Sequence, residues 1–399
     1  MLGGLYKKTT YLNEFRKTNK NLVVVDSGDL LNEHDKIKDS FIKSAHLKSD
    51  LIAKIYKNLG IDAINVGELE LALGLDYLKD LEKELDLPFV SSNIVNSNKE
   101  LVFKPYIIKK LEGVTVGITG IMGTTSDVSK KMKAICGDTL SVEDPVKTLE
   151  KIVPELKKKA DILVVMTHQA MNRNWVIARK IDGVDLVVGG HHKQRLDTPY
   201  NPNNTYIVQS GEKGQYQGMI EFSISADGTK TATNTMVKVG DEIANDAKVK
   251  AMLDEYNNEV TKLYSAGTKS SAEDVALMSA SCRDCHDEAF EIWEKTDHAK
   301  AFRTLIDTGK GDQFKPDCLG CHTTRFEEPG GFTMDEQQKE LRNIQCDSCH
   351  GNSASHLEDP GNSHDVTPDM ETCMKCHSGH RGGDKFKKNY QQFLDKIKH

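Results

Sequence analysis

The feature that most constrains this chain is where its cysteines lie. Eight of the nine fall between Cys282 and Cys376, near the end of a sequence of 399 residues. They form four copies of the pattern Cys-x-x-Cys-His, whereas the preceding residues contain a single cysteine, Cys136. The chain is therefore divided into two chemically different regions. The residues of the four copies are Cys282, Cys285 and His286; Cys318, Cys321 and His322; Cys346, Cys349 and His350; and Cys373, Cys376 and His377.

Each Cys-x-x-Cys-His copy has the groups that attach a c-type haem. Its two thiols can add to the haem vinyl groups, and the adjacent imidazole can bind the iron. Structural zinc sites also use Cys-x-x-Cys pairs, but they do not require a histidine directly after the second cysteine. We therefore predict four covalently bound haem c groups. With about 30 residues for each haem, this region is too short for an ordinary hydrophobic core, so we expect short helices and irregular segments around closely spaced porphyrins.

Five further histidines in the same region could bind the second axial position of the haem irons. Four haems with histidine on both faces need four distal ligands, so the supply exceeds the need by one. Methionine is the alternative ligand and would raise the reduction potential. The candidate histidines are His298, His356, His364, His380 and His399, and the candidate methionines are Met334, Met370 and Met374.

Residues 1–240 alternate short apolar runs with segments of helical period. Continuous Val, Ile and Leu runs are typical of strands buried on both faces, so we predict a layered α/β domain, then a helix and linker over 241–275 and the haem region over 276–399. The segments Gln217–Ile224 and Thr233–Val239 alternate instead and predict a closing hairpin. The predicted helices include Leu47–Leu59, Leu75–Leu85 and Ala244–Tyr264, and the predicted strands are Leu22–Asp26, Asp62–Val66, Phe89–Ser92, Val114–Thr119, Asp161–Thr167, Val184–Val188 and Tyr206–Gln209.

Polar side chains follow several of these strands at their carboxyl ends, where α/β domains build their sites. Asp29 and Glu68 follow the first two predicted strands, and His168 and His191 follow the fifth and sixth. Carboxylates and imidazoles together are a set of metal ligands. Strand-end loops are also polar in domains that bind no metal, so both interpretations stay open on composition alone.

Seven short motifs occur in this region, in the order Gly3-Gly4-Leu5, Gly28-Asp29, Asn65-Val66-Gly67-Glu68, Ser92-Asn93-Ile94, Thr167-His168, Gly189-Gly190-His191 and Val208-Gln209-Ser210-Gly211. Through them, roughly residues 1–240 resemble the calcineurin-like metallophosphoesterases, and within these the periplasmic 5'-nucleotidase branch. The resemblance implies a fold of two β-sheets flanked by helices. It also implies two metal ions between the sheets and a bridging water that attacks phosphate.

The chain departs from that family at positions that carry catalysis. The family motif Gly-Asn-His-Glu reads Gly67-Glu68-Leu69-Glu70, so a carboxylate replaces the ligand amide and Leu69 replaces the phosphate-stabilising histidine. The motif Gly-His-x-His reads Gly190-His191-His192-Lys193, and a protonated lysine has no lone pair for a metal. The family's Asp-x-His pair and its nucleotide-recognising domain are not found in the sequence. We expect no phosphoester hydrolysis, although one divalent ion (Mn, Zn or Fe) could still bind Asp29, Glu68, His168 and His191.

The region 276–399 carries a second resemblance. Trp293 and His298 follow the first Cys-x-x-Cys-His copy, Gly330-Gly331-Phe332 follows the second, and Gly351 and His356 follow the third. In these features the region resembles the tetrahaem cytochrome family of ammonia oxidisers. The resemblance implies that His298 binds the third haem, His356 the first and His399 the fourth. The second haem is five-coordinate in the family's founding member; His364, His380 or a histidine of a neighbouring molecule is the candidate ligand in this chain.

The end of the chain is predicted to hold His399 in place. An amphipathic helix from Lys385 to Lys398 would lead to this residue, with an apolar face that can dock on a porphyrin edge. That face is formed by Phe386, Tyr390, Phe393 and Ile397.

Charge and hydropathy exclude several classes of protein. The net charge of −7 argues against nucleic acid as a partner. The mean hydropathy of −0.51 and the lack of an apolar run of about 18 residues predict no membrane span.

Because haem c is attached outside the cytoplasm, we expect a periplasmic or extracellular protein. Residues 1–20 contain no apolar signal-peptide core, which predicts either that Met1 is not the native start or that the sequence is a mature or truncated form.

The leading functional hypothesis is electron transfer through four closely packed haems. Its partners would be redox proteins or other copies of the chain in contact through their haems, and the latter case includes a homo-oligomer or an extracellular filament. One alternative is a metal-dependent phosphoesterase of the 5'-nucleotidase type with a haem redox module. Another is a redox enzyme that works at a five-coordinate haem.

Overall fold

The computed structural model describes residues 3–265, 275–361, 366–378 and 383–398. The chain forms two compact units, Met1–Asp254 and Glu255–His399. The division falls within the helix Ala247–Ser265, inside the segment 241–275 that was predicted to join two domains. The predicted linker after Ser265 lies outside the described residues.

The first unit is a layered α/β domain, as predicted. Its strands are short and its helices are amphipathic, with Leu78 and Leu81 of one helix, for example, buried on the side that faces the core. The helices are α1 (Leu5–Thr18), α2 (Ile42–Leu59), α3 (Leu75–Leu85), α4 (Ser126–Cys136), α5 (Pro145–Leu156) and α6 (Met171–Lys180), and α7 (Ala247–Ser265) begins in this unit and contains the division. The strands are β1 (Val25–Asp26), β2 (Ala63–Asn65), β3 (Phe89–Val90), β4 (Ile94–Asn96), β5 (Tyr106–Leu111), β6 (Val114–Met122), β7 (Leu140–Val142), β8 (Ile162–His168), β9 (Leu186–Gly189), β10 (Tyr206–Val208), β11 (Tyr216–Ile224) and β12 (Lys230–Lys238).

Two sheets form the centre of this unit. A parallel sheet has the order β1-β2-β3, and a five-stranded sheet has the order β10-β9-β8-β6-β5, in which only β5 is antiparallel to its neighbour. All seven residues of β8 are buried, because apolar side chains pack against both of its faces. The pairs β4-β7 and β11-β12 are antiparallel, and β11-β12 is the predicted hairpin.

The sequence pattern missed three strands of this domain. Strand β5 is half-buried along most of its length, so it lacks the continuous apolar run that marks β6 and β8. Strands β4 and β7 have three residues each, which is too short for periodicity to be recognised.

The second unit consists of short helices joined by irregular segments, again as predicted. One prediction here is wrong: the single helix from Lys385 to Lys398 is two helices, interrupted at Asn389. The side-chain amide of Asn389 donates a hydrogen bond of 2.8 Å to the carbonyl of Lys385, and such local bonds compete with continuation of a helix. The helices are α8 (Asp287–Glu294), α9 (Ala301–Asp307), α10 (Pro316–His322), α11 (Asp347–His350), α12 (Ala354–Glu358), α13 (Met370–Met374), α14 (Gly383–Lys388) and α15 (Tyr390–Leu394).

Candidate metal centre and haem-binding segments

Four predicted metal ligands meet at the carboxyl ends of strands from the two sheets. Asp29 follows β1, Glu68 follows β2, His168 is the last residue of β8, and His191 follows β9. One atom from each can be chosen so that all four lie within 4.8 Å of one another. These strands are far apart in sequence, so the tertiary fold brings the four residues together. We call them the four-residue cluster.

The loops that carry the cluster have unusual local conformations. Asp29 and His191 have φ angles of 58° and 67°, a left-handed conformation that side chains other than glycine rarely adopt. Gly67 is needed for a different reason: a Cβ atom at this position would lie 2.5 Å from Oδ1 of Asp29. Strain and close packing of this kind are typical of functional sites.

The side chains of the cluster point their ligand atoms at one another. Nε2 of His168 lies 3.1 Å from Oδ2 of Asp29 and 3.1 Å from Oε2 of Glu68. Nδ1 of His191 lies 3.2 Å from the same Nε2. Glu68 and His168 are fully buried. Two carboxylates and two imidazoles held this close require a positive charge among them.

The remote nitrogens of both imidazoles are occupied by acceptors. Nδ1 of His168 donates to the carbonyl of Ser27 at 2.9 Å, and Nε2 of His191 donates to Oδ2 of Asp127 at 2.8 Å. When each imidazole is neutral, the nitrogen that faces the cluster is the one with a lone pair. This is the arrangement by which proteins orient histidines that bind metal ions. Against the effect of burial, the facing carboxylates raise the pKa of both histidines, so a bound cation would take the place of protons there. The donor set therefore fits one divalent cation.

Glu68 is the most unusual member of the cluster. Its Oε1 accepts a hydrogen bond of 2.7 Å from Nζ of Lys131, while its buried Oε2 has no hydrogen-bond partner among the described residues. Burial alone would raise the pKa of Glu68, but the facing imidazoles and Lys131 lower it, so this carboxylate is charged. Because this oxygen lies 3.1 Å from Nε2 of the buried His168, the close approach needs either a proton or a cation between the two atoms.

Sequence reasoning missed three residues that support the cluster: Glu70, Asp127 and Lys131. Glu70 accepts hydrogen bonds from the backbone amides of Asp29, at 2.8 Å, and Gly67, at 2.7 Å, and so fixes the loop after β1. Burial, together with the nearby Asp29, raises the pKa of Glu70 to about 7. The signal for Asp127 was its position at the start of the helix after β6, because such helices begin at the sheet edge that carries the ligands, and Lys131 lies one helical turn further along.

The two departures from the phosphoesterase pattern are visible in the geometry. Leu69 is buried and contributes only its backbone amide, which donates to Oδ1 of Asp29 at 2.9 Å. Lys193 is largely exposed, and its Nζ lies 3.1 Å from Oε2 of Glu212. Neither side chain offers a ligand atom to the cluster.

In the second unit, the four Cys-x-x-Cys-His copies adopt a common helical turn. The amides of His286, His350 and His377 each donate to the carbonyl of the first cysteine of their own copy, at 2.9 to 3.0 Å, and the second copy lies within α10. This turn puts both sulfurs and the imidazole of a copy on neighbouring positions of one helical segment. The geometry is suited to attachment of one haem at each copy.

Two of the motif histidines are oriented like metal ligands. Nδ1 of His322 donates to the carbonyl of Ala301 at 2.6 Å, and Nδ1 of His350 donates to the carbonyl of Val366 at 2.9 Å. In each ring, Nε2 is then the nitrogen that keeps a lone pair for an iron ion.

Two of the predicted distal histidines lie close to motif histidines. The ring of His356 lies 6.3 Å from that of His286, and the ring of His298 lies 6.1 Å from that of His377. Two imidazoles that bind one iron from opposite sides have centroids about 6 Å apart, because each metal–nitrogen bond is about 2 Å long. The first pair agrees with the resemblance. The second differs from it, because His298 lies beside the histidine of the fourth copy and not that of the third.

The remaining candidate histidines, His364, His380 and His399, lie outside the described residues.

The predicted aromatic face before His399 is present despite the interrupted helix. The ring of Phe386 stacks on that of His377 at 4.4 Å and on that of Phe393 at 5.3 Å. Of the methionine alternatives, Met370 is exposed.

Comparison with known proteins identifies both regions. Residues 281–351 match the family "Cytochrome c554 and c-prime", a match that includes the first three Cys-x-x-Cys-His copies. The trifunctional nucleotide phosphoesterase YfkN of Bacillus subtilis is 24% identical over 296 residues, which are 64% of this chain and 20% of that protein. The 5'-nucleotidase of Bos taurus is 24% identical over 312 residues, which are 71% of this chain and 52% of that protein. The chain thus spans about half or less of these relatives.

A solved structure gives the same assignment for the fold. The 5'-nucleotidase precursor from Thermus thermophilus superposes with a TM-score of 0.56 and 25% identity, over 70% of this chain and 57% of that one. The first unit therefore has the calcineurin-like, 5'-nucleotidase-like fold, and it is joined in one chain to a cytochrome c554-type segment. Among the described residues, no helix is long and apolar enough to cross a membrane.

Proposed function

We propose that the second unit binds four haem c groups and serves as an electron-transfer module. The observation that carries this proposal is the 6.3 Å and 6.1 Å separation of the His286–His356 and His298–His377 rings. When bound, haem c supplies one-electron iron chemistry. The chain's own contribution is to hold each macrocycle by two cysteines and to orient the axial imidazoles.

Contacts between the copies support a definite order of the four sites. The backbone amide of Cys346, in the third copy, donates to Oγ of Ser279, three residues before the first copy, at 3.0 Å. Burial, with the neighbouring Cys373 and Cys346, raises the pKa of Cys349 to about 11. Sγ of Cys376 lies 4.0 Å from the carbonyl of Gly320, in the second copy. We infer the order first, third, fourth, second, with the first and second sites at the two ends.

The exposed apolar side chains of this unit support the same proposal. Among the described residues, the second unit buries fewer large apolar side chains for its length than the first, and Ile306 and Leu357 on its helices are 43% and 48% exposed. Porphyrin faces would cover such side chains and provide the apolar core that the chain is too short to supply.

The experiment that tests the proposal assigns His298 to one haem. In the holoprotein, His298→Ala should convert one low-spin haem to a high-spin form, counted by electron paramagnetic resonance. The same substitution should change no further haem in a variant that lacks the fourth attachment site, Cys373→Ala/Cys376→Ala. It should still create one high-spin haem when the third site is removed by Cys346→Ala/Cys349→Ala. If His298→Ala creates a high-spin haem without the fourth site but not without the third, His298 binds the third haem.

A second function concerns the first unit, and the four-residue cluster favours it. We propose that Asp29, Glu68, His168 and His191 hold one divalent ion of the Mn, Zn or Fe type. When bound, such an ion can act as a Lewis acid toward an anionic oxygen. Leu69 and Lys193 supply neither a further ligand nor a phosphate-stabilising imidazole, so we expect negligible phosphoesterase activity.

Metal analysis and an activity assay test this second proposal together. Protein dialysed against manganese should retain one equivalent, and Asp29→Ala should abolish the retention. Hydrolysis of an aryl phosphate should stay at least about 1000-fold below that of an active phosphoesterase, since a single electrostatic group is worth about 100- to 1000-fold. Robust hydrolysis that is lost in Asp29→Ala would instead establish the domain as a working phosphoesterase.

We also propose that the protein works outside the cytoplasm. The support is the covalent haem attachment expected at the four copies, which requires an exported chain. Fractionation of the native host should recover the haem-stained protein outside the cytoplasm, and recovery of the holoprotein from the cytoplasm would contradict this.

A further inference from the structure

Helix α4 presents two side chains to the four-residue cluster, one helical turn apart. Asp127 accepts the hydrogen bond from His191 at 2.8 Å, and Lys131 donates to Oε1 of Glu68 at 2.7 Å. Residues four apart lie on the same face of a helix, so both contacts come from one surface of α4. Val128 and Met132 of this helix are buried, and their packing fixes its position.

Lys131 makes the two oxygens of Glu68 different from each other. Oε1 is occupied by the ammonium group, whereas Oε2 faces Nε2 of His168 at 3.1 Å and is buried without a hydrogen-bond partner among the described residues. Oε1 also lies 3.4 Å from Nδ1 of His191, so both oxygens border the cluster, and they differ in that Oε1 already holds the ammonium group. A cation bound through Oε1 would meet the ammonium group of Lys131 at the same oxygen, and this repulsion favours binding through Oε2.

Lys131 also changes the charge that a cation would meet. Glu68 and Lys131 together carry no net charge, so Asp29 is the carboxylate whose charge in the cluster is not offset in this way. The side chain of Lys131 is about one-third exposed, while that of Glu68 is fully buried. Because the carboxylate is shielded from water, the ammonium group beside it has a strong influence on any cation bound nearby.

We propose that Lys131 is a positioning residue that makes Glu68 act as a one-oxygen metal ligand with no net charge. This inference rests on the proposed metal site of the first unit. The pair then behaves electrostatically like an amide at the same position. The cost is weaker binding of the cation, because the ammonium group and a divalent ion share one carboxylate.

The test is a set of manganese titrations on the full-length holoprotein. Unbound Mn²⁺ is measured by its six-line electron paramagnetic resonance signal at room temperature. The variants are Lys131→Met, Glu68→Gln and the double variant Glu68→Gln/Lys131→Met. Lys130→Met is the matched control, because Lys130 is the exposed neighbour on the same helix and its loss changes the charge by the same amount.

Lys131→Met should bind Mn²⁺ at least about tenfold more tightly than the unaltered chain, since it removes a nearby positive charge and frees the second oxygen of Glu68. Glu68→Gln should weaken binding at least about tenfold, because Lys131 then faces the cation without its carboxylate. The double variant should return to within about threefold of the unaltered chain, and Lys130→Met should stay within about twofold.

Three results would overturn the inference in distinguishable ways. Unchanged or weaker binding by Lys131→Met would remove the role of Lys131 and leave the metal site intact. A double variant as weak as Glu68→Gln would show that the two side chains do not act as a pair. No Mn²⁺ binding by any chain, with native circular dichroism retained, would refute the manganese site itself and the inference with it.

Discussion

The two units of this chain achieve a stable fold in different ways. In the first unit, three clusters of buried apolar side chains fill the space between sheets and helices, and residues such as Leu59, Leu78 and Ile118 are fully buried. None of these clusters includes a described residue beyond α7. In the described part of the second unit, a smaller set of apolar side chains is buried for its length, among them Phe302, Leu319 and Phe332. Side chains build the core of one unit, and covalently held cofactors are expected to complete the other.

The largest effect on this difference between the two units is expected when haem attachment is prevented. With all eight motif cysteines replaced by alanine, residues 275–398 should lose their protection from hydrogen exchange, because the porphyrins that complete their core are gone. The first unit should keep its protection. Hydrogen-exchange mass spectrometry of the full chain measures both at once, and equal protection of the second unit with and without haem would contradict the comparison.

Truncation of a core side chain should destabilise the first unit and leave the haems of the second unit unaffected. Leu78→Ala should lower the free energy of unfolding of this unit by about 3 kcal/mol, because the fully buried side chain leaves a cavity. The haem absorption spectrum in the absence of denaturant should not change. Urea unfolding followed by circular dichroism provides the measurement. Leu101→Ala, at a position that is 46% exposed, is the control and should cost less than about 0.5 kcal/mol.

Substitution of one predicted iron ligand tests the role of a single haem in the second unit. His356→Ala should convert one haem from low spin to high spin, because the ring opposite His286 is removed. The thermal stability of the first unit should be unaffected. Magnetic circular dichroism counts the high-spin haems, and an unchanged count would mean that another side chain binds opposite His286.

The smallest effect concerns Cys136, the cysteine outside the four copies. If the other eight form thioethers, the unfolded holoprotein should contain one titratable thiol, and its intact mass should exceed that of the apoprotein by about 2.5 kDa. Burial raises the pKa of the Cys136 thiol to about 11. In the native protein its alkylation should therefore be slow at pH 8 and rise about tenfold for each pH unit toward pH 11, since the thiolate is the nucleophile. Nine titratable thiols would refute haem attachment.

Much of the candidate chemistry could be read from local patterns. Asp29, Glu68, His168 and His191 were recognisable because polar residues at strand ends in an α/β sheet meet at one edge. Glu70 was not, because its role depends on backbone amides of a loop about 40 residues earlier in the chain. The interrupted helix at Asn389 was missed because periodicity does not record a competing side-chain hydrogen bond.

The expected haem attachment could be predicted from the sequence alone, because five consecutive residues, Cys-x-x-Cys-His, contain every group that one attachment requires. The same holds for the α/β layering, which follows from apolar runs that must be buried on both faces. Only the tertiary structure decided that His298 lies beside His377 and that Lys131 binds Glu68. Each of these pairs joins segments more than 60 residues apart. Their contact depends on how helices and strands pack together, which no local spacing encodes.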